Sequence, residues 1–168
     1  MPVHFVSPIP PLWRGFLHKS ERSSCYNRSM LRPKTVLIFG TFDGLHEGHR
    51  FFLSEARKLG ERLIASVAQD STVERFKKRS PKQGRAERMA ALMQNGLVDE
   101  AVAGDVALGN WSAVKKYAPH IVALGYDQTK LEEKLREFIM KEKLSIEVMR
   151  IEANDPNRLH SRFLREKE

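Results

Sequence analysis

The chain is short of several things that would point elsewhere. Cys25 is its one cysteine among 168 residues, so no internal disulfide can form and no cysteine metal cluster is available. No apolar run approaches the roughly 20 residues that cross a bilayer, and the first residues lack the uninterrupted apolar stretch of a secretory signal. A soluble, cytoplasmic protein with no membrane partner is the expectation. No low-complexity tract or internal repeat occurs, and 41% hydrophobic content supplies one real core at this length but not two ordinary domains.

Charge is present in excess, but unevenly. The net charge is +8, and residues 1–34 place Arg14, Lys19, Arg22, Arg28, Arg32 and Lys34 against Glu21 alone. The remainder is only mildly basic, which suits phosphorylated small molecules, and no basic-and-aromatic pattern of a nucleic-acid-binding sheet accompanies it. The first 34 residues also hold five of the eight prolines. Residues 1–32 therefore read as a poorly ordered basic extension, with Met30 as a candidate true start and a targeting presequence as the second explanation. Residues 33–168 read as the domain.

From Thr35 the pattern changes to short apolar runs separated by helical spacings. Strands are expected at 35–40, 62–68, 98–102, 120–124 and 144–151, and helices at 47–59, 85–95, 111–117, 128–143 and from 157. The polar, basic stretch 71–84 reads as a mobile loop. Strands alternating with helices imply an α/β fold: a doubly wound, Rossmann-like parallel sheet of about five strands with helices on both faces.

In such a sheet, ligands bind beyond the carboxyl ends of the strands, where a loop meets a helix amino terminus whose N–H groups attract anions. The loop after the first strand reads Gly40-Thr41-Phe42-Asp43-Gly44-Leu45-His46-Glu47-Gly48-His49. Its glycines let backbone approach phosphate, and its two histidines can address one pocket. Three other readings stand beside this one: a packing turn, a metal site built on the histidines, and a histidine helix cap.

The whole string resembles the signature of the cytidylyltransferase-like nucleotidyltransferase superfamily, which runs glycine, Thr/Ser/Cys, Phe/Tyr, Asp, two free positions, His, any residue, Gly, His. The similarity extends from about Pro33 to the end. It implies transfer of a nucleoside monophosphate from a nucleoside triphosphate to a phosphate-bearing acceptor, with release of pyrophosphate and with Mg2+ or another divalent cation accompanying the triphosphate. By this resemblance His46 and His49 hydrogen-bond the phosphates as charge builds. Gly40, Gly48 and the backbone N–H groups of Thr41 and Phe42 frame them, and Asp43 organises the turn or orients the metal.

The resemblance implies further site residues. Lys82 or Lys78 closes over the phosphates, and Arg88, in the pair Glu87-Arg88 before Val98-Asp99, grips phosphate or acceptor. The segment Asp70 to Val73 matches a turn after the second strand. Gly125, Tyr126 and Asp127 lie beside the base, and the string Gly-Tyr-Asp-Gln is most similar to that of archaeal-type FAD synthases, which favours ATP and flavin mononucleotide. CTP with glycerol 3-phosphate is the alternative, and a non-catalytic nucleotide-binding module is the alternative of another class. Near the end, Ser161 and Arg162 stand where relatives carry a hydroxyl-rich helix start. Relatives also make a homodimer plausible.

Overall fold

The computed structural model describes residues 33–107 and 109–152. Ten elements follow one another: β1 (Thr35–Gly40), α1 (Glu47–Lys58), β2 (Arg62–Val67), α2 (Asp70–Lys77), α3 (Arg85–Gln94), β3 (Glu100–Ala103), α4 (Ser112–Tyr117), β4 (Ile121–Gly125), α5 (Thr129–Lys141) and β5 (Glu147–Ile151). The five strands form one sheet in the order β3-β2-β1-β4-β5, with every neighbouring pair parallel. The chain thus builds outward from β1 to β3, returns, and builds outward again from β4. The reversal falls between β1 and β4, where an open parallel sheet leaves a crevice.

Continuous apolar runs in the strands follow from burial on both faces. Val36, Ile38, Leu63, Ala65, Val67, Ile121 and Ala123 turn to one face and pack with Leu53 and Ala56 of α1 and Leu92 of α3. Leu37, Ile64, Val122 and Leu124 turn to the other and pack with Ala113 and Val114 of α4 and Leu135 of α5. The period of two in each strand is therefore what distributes the side chains between the two helical layers.

The stretch expected as a loop at 71–84 is one only from Lys78 onward. Its first part is α2, with Asp70 in the first turn and Val73 anchored in the core. An acidic residue at the amino end complements the helix dipole, so a polar sequence can still hold a short helix. Lys78 then stops it in the left-handed conformation, at φ 52°. The third strand starts two residues later than expected, because Asp99 pairs with β2 through its side chain as well as its backbone. Its carboxylate accepts the Leu63 N–H while its own N–H donates to the Leu63 carbonyl. Among the described residues no helix is long and apolar enough to cross a membrane.

Candidate active site

The chain leaves β1 at Gly40 and doubles back at once. Phe42 takes φ 53° and lays its buried ring beneath Gly40, where an added Cβ would stand 2.7 Å from the Phe42 ring. Glycine at 40 is thus required by close approach, not by its own dihedral angles. Gly44 takes φ 62° and brings the chain to the start of α1. His46 occupies the position before the first helical residue, in extended conformation, and its side chain makes no capping hydrogen bond. Capping therefore does not account for that histidine.

One helical turn separates His46 from His49, so their side chains share a face of the helix start. The two imidazoles stack with centroids 3.8 Å apart and planes 25° from parallel, and Phe42 backs the second ring at 5.5 Å. Two ring systems capable of donating N–H are thereby fixed at a helix amino terminus, where the dipole and the backbone amides already favour an anion. No cluster of three or more His, Cys, Asp or Glu side chains that could hold a metal occurs among the described residues.

Beneath this turn lies Arg88, and the structure gives it a different place from the one the resemblance implies. Rather than reaching out to phosphate, it is fully buried. Its Nε donates to the Gln83 carbonyl at 3.1 Å, one terminal nitrogen to the Thr41 carbonyl, and the other to the Ala68 carbonyl at 2.9 Å and the Asp70 carboxylate. A planar guanidinium is the side chain that can serve so many acceptors in fixed directions, which lysine cannot. The result ties the 40–46 turn, the end of β2 and the 78–84 loop to one point.

The same network sets the ionisation of Asp70. Burial alone would push its carboxyl up, but the Arg88 hydrogen bond, the Arg85 backbone N–H and both positive charges outweigh it and hold the pKa below 3.8. Asp43 makes a second tie. Its two carboxylate oxygens accept the backbone N–H groups of Lys82 and Gln83, each at 3.1 Å, and the Gln83 side chain accepts from the Gly44 N–H. The Asp43 role that matches this geometry is turn organisation. Lys82 and Lys78 are exposed along the loop so held.

At the crevice, Gly125 and Tyr126 are half-buried and Asp127 is exposed. Burial first, and then the Asp127 charge, push the Tyr126 phenol up, so its hydroxyl stays protonated near neutral pH. Of Gly125, Tyr126 and Asp127, Asp127 alone lines the cleft of about 540 Å³ that opens across the carboxyl ends of the strands. Phe39, Ala68, Val73, Trp111 and Leu131 make its apolar wall, and it meets the turn after β1 at Gly40 and Thr41. Neither histidine lines it: they stand with Phe42 on the α1 side of the turn, whereas Phe39 and Trp111 belong to the α4–α5 side.

Two of these residues carry no sequence signal as site residues. Trp111 looks like a helix start in a core, and its left-handed φ of 53°, which turns it toward Phe39, cannot be read from composition. Gln83 works through its backbone as much as its side chain. Gln128 had a signal, as the last member of Gly125-Tyr126-Asp127-Gln128, but the signal does not say what its amide does. Ser161, Arg162 and the helix expected from residue 157 lie outside the described residues, as does the 1–32 extension.

The family model described as cytidylyltransferase-like matches residues 37–167. A FAD synthase of Methanothermobacter thermautotrophicus is 43% identical over 122 residues, covering 71% of this chain and 80% of that protein. A FAD synthase of Thermococcus sibiricus is 40% identical over 116 residues, covering 69% and 78%. Among solved structures, a lipopolysaccharide core biosynthesis protein from Thermoplasma volcanium superposes with a TM-score of 0.67 at 34% identity, covering 74% of this chain and 100% of that one. A pantoate-beta-alanine ligase from Francisella tularensis shares the fold alone, with a TM-score of 0.56 at 13% identity over 77% of this chain and 64% of its own.

Proposed function

The chain belongs to the cytidylyltransferase-like family and is a nucleotidyltransferase, and we propose that it transfers the adenylyl group of ATP to flavin mononucleotide, forming FAD. A phosphate oxygen of the acceptor attacks the α phosphorus as the bond from that phosphorus to the β-phosphate oxygen breaks, and pyrophosphate leaves. The attacking oxygen is already anionic, so no base is needed. What the protein must supply is alignment and relief of charge building on the phosphoryl oxygens.

The observation that carries this reading is the pairing of two unlike surfaces across one turn. On the α1 side, His46 and His49 stack at a helix amino terminus, suited to the triphosphate. On the other, a 540 Å³ cleft with an aromatic wall begins at Gly40 and Thr41. A flat, largely apolar ring system fills such a cleft, whereas glycerol 3-phosphate offers nothing to its wall. The two similar proteins from Methanothermobacter and Thermococcus are FAD synthases, which agrees with that preference.

Within this reading, Gly40, Thr41, Phe42 and Gly48 shape the phosphate cradle, and Lys82 reaches the phosphates from the loop that Asp43 holds. Gly125, Tyr126 and Asp127 border the nucleotide, with Ser161 and Arg162 assigned to it by resemblance. Arg88 is a positioning residue, since it touches the turn and not the outside. A divalent cation such as Mg2+ accompanies the triphosphate and shields the charge of its oxygens. Residues 33–168 form the catalytic domain and 1–32 lie outside it.

The test is a four-way comparison. Purified protein is mixed with ATP or CTP, each with flavin mononucleotide or glycerol 3-phosphate, and pyrophosphate is followed. Release only with ATP and flavin mononucleotide supports the assignment. Release with CTP and glycerol 3-phosphate replaces it with cytidylyl transfer, and nucleotide binding with no release in any arm makes the chain a non-catalytic module.

A further inference from the structure

Strand β1 turns its backbone groups alternately to its two neighbours. The Gly40 carbonyl accepts from Ala68 N–H on the β2 side, and the Thr35 carbonyl accepts from His120 N–H on the β4 side. Even-numbered residues thus address β2 and odd-numbered residues address β4. Pairing with β2 runs to the last residue of the strand, Gly40↔Val67, but pairing with β4 ends at Ile38↔Ala123. One further step of that parallel ladder would join the Phe39 carbonyl directly to the Gly125 N–H.

A side chain stands in the way. The Gly125 N–H donates to Gln128 Oε1 at 2.9 Å, and Gln128 Nε2 donates to the Phe39 carbonyl at 2.8 Å. Only this orientation of the amide matches donor to acceptor at both ends. The primary amide therefore enters the ladder as an extra peptide-like group, replacing one bond by two and interposing its own width between the strand ends. Its backbone fixes it there: the Gln128 N–H donates to the Gly125 carbonyl, and its own carbonyl receives the N–H groups of Leu131 and Glu132 at the start of α5. The cleft begins at this gap, with Phe39, Asp127 and Gln128 on its border.

We propose that Gln128 is a positioning residue that wedges β1 and β4 apart, so that the width of the ligand crevice is set by one inserted amide. Without it the two ends are left with an unpaired carbonyl and an unpaired N–H, and they close on each other. The consequence for the reaction rests on the adenylyl-transfer reading, because Phe39 immediately precedes the Gly40-Thr41 turn. A shift of that carbonyl moves the turn relative to an acceptor seated in the cleft.

The experiment compares Gln128→Glu and Gln128→Leu with the unmodified protein over about pH 5 to 8, a range chosen because a carboxyl facing a carbonyl oxygen titrates above its usual value. Glutamate keeps the shape and accepts from Gly125, but when ionised it has no proton for the Phe39 carbonyl; when protonated it does. Expected is a loss of about tenfold in kcat/KM for flavin mononucleotide at the alkaline end, recovering as pH falls. The leucine variant is expected to show a deficit that pH does not change, with hydrogen exchange at the Gly125 amide no faster than in the unmodified protein because the Phe39 carbonyl closes onto it; faster exchange there, a readout independent of turnover, would make Gln128 a cap and not a wedge and overturn the proposal. Should leucine prevent folding, the pH profile of the glutamate variant still decides. Rates within twofold of the unmodified protein at every pH, or a glutamate deficit that does not recover, overturn the proposal. Absence of FAD formation by the unmodified protein would instead count against the reaction assignment, leaving Gly125 exchange to test the wedge alone.

Discussion

The two sides of β1 are built on opposite plans. Toward β2 the ladder is complete to Gly40, continues through the Ala68 N–H, and is locked from below by a buried arginine that gathers the Thr41, Ala68 and Gln83 carbonyls. Toward β4 the ladder stops two residues earlier and a glutamine amide holds the gap. The difference teaches how one strand serves both rigidity and access. Phosphate chemistry needs donors fixed to a fraction of an ångström, so the turn is anchored on the closed side. A substrate with a ring needs room, so the sheet is parted on the other.

The sharpest way to break this comparison is at the donors the closed side supports. His46→Ala or His49→Ala is expected to lower kcat by about 10²–10³, the usual cost of losing a donor to developing oxyanion charge. Both rings sit at the start of α1 and outside the buried core, so the melting temperature should move little. Steady-state rates with parallel thermal melts check this, and a normal rate in a stable variant would remove the assigned role.

Next in size is the anchor. Arg88→Ala leaves three carbonyls and the Asp70 carboxylate without their common donor, and is expected to destabilise the fold by about 3–5 kcal/mol in urea unfolding. Arg88→Lys restores charge but not the fork, so it should recover only part of the stability and less of the rate. If Arg88 touched substrate instead, alanine would cut the rate while leaving stability near normal.

A smaller effect is expected from Asp43→Ala, which releases the Lys82 and Gln83 amides and with them the loop beside the turn. The prediction is a rise of about tenfold in the KM for ATP with a modest change in kcat, since an exposed tie contributes less than a buried one. Equal losses in kcat and kcat/KM would place Asp43 nearer the reacting phosphorus than its hydrogen bonds indicate.

The smallest effect belongs to acid. Because the folded state holds Asp70 below its ordinary 3.8, its contribution to stability is full above that value and is lost as pH falls through the depressed pKa. Unfolding measured from about pH 6 down to pH 2 should show this slope, and Asp70→Asn should flatten it. An unchanged slope in the asparagine variant would assign the acid sensitivity to other carboxylates, such as Asp99 and Glu132, which are also held low.

Much of the closed side was legible in the sequence. The ten-residue signature names the turn and both histidines, and apolar runs bounded by turn residues locate all five strands to within a few residues. What escaped was fixed by contacts distant in the chain. The resemblance marks Arg88 as a grip on phosphate or acceptor, and its burial against the Thr41 and Ala68 carbonyls rests on separations that no local pattern reports. The helix at Asp70–Lys77 hid behind its charge, because its polar sequence carries too little apolar periodicity to announce it. The open side was the least legible of all: Gln128 matters through a backbone carbonyl 89 positions earlier.

The most direct test of the central claim follows a labelled phosphorus. ATP carrying its label at the α position, incubated with the protein and flavin mononucleotide, should yield labelled FAD in equal amount to unlabelled pyrophosphate, and His49→Ala should abolish both together. Label that stays in AMP or free nucleotide, with flavin mononucleotide unchanged, would contradict adenylyl transfer at this site.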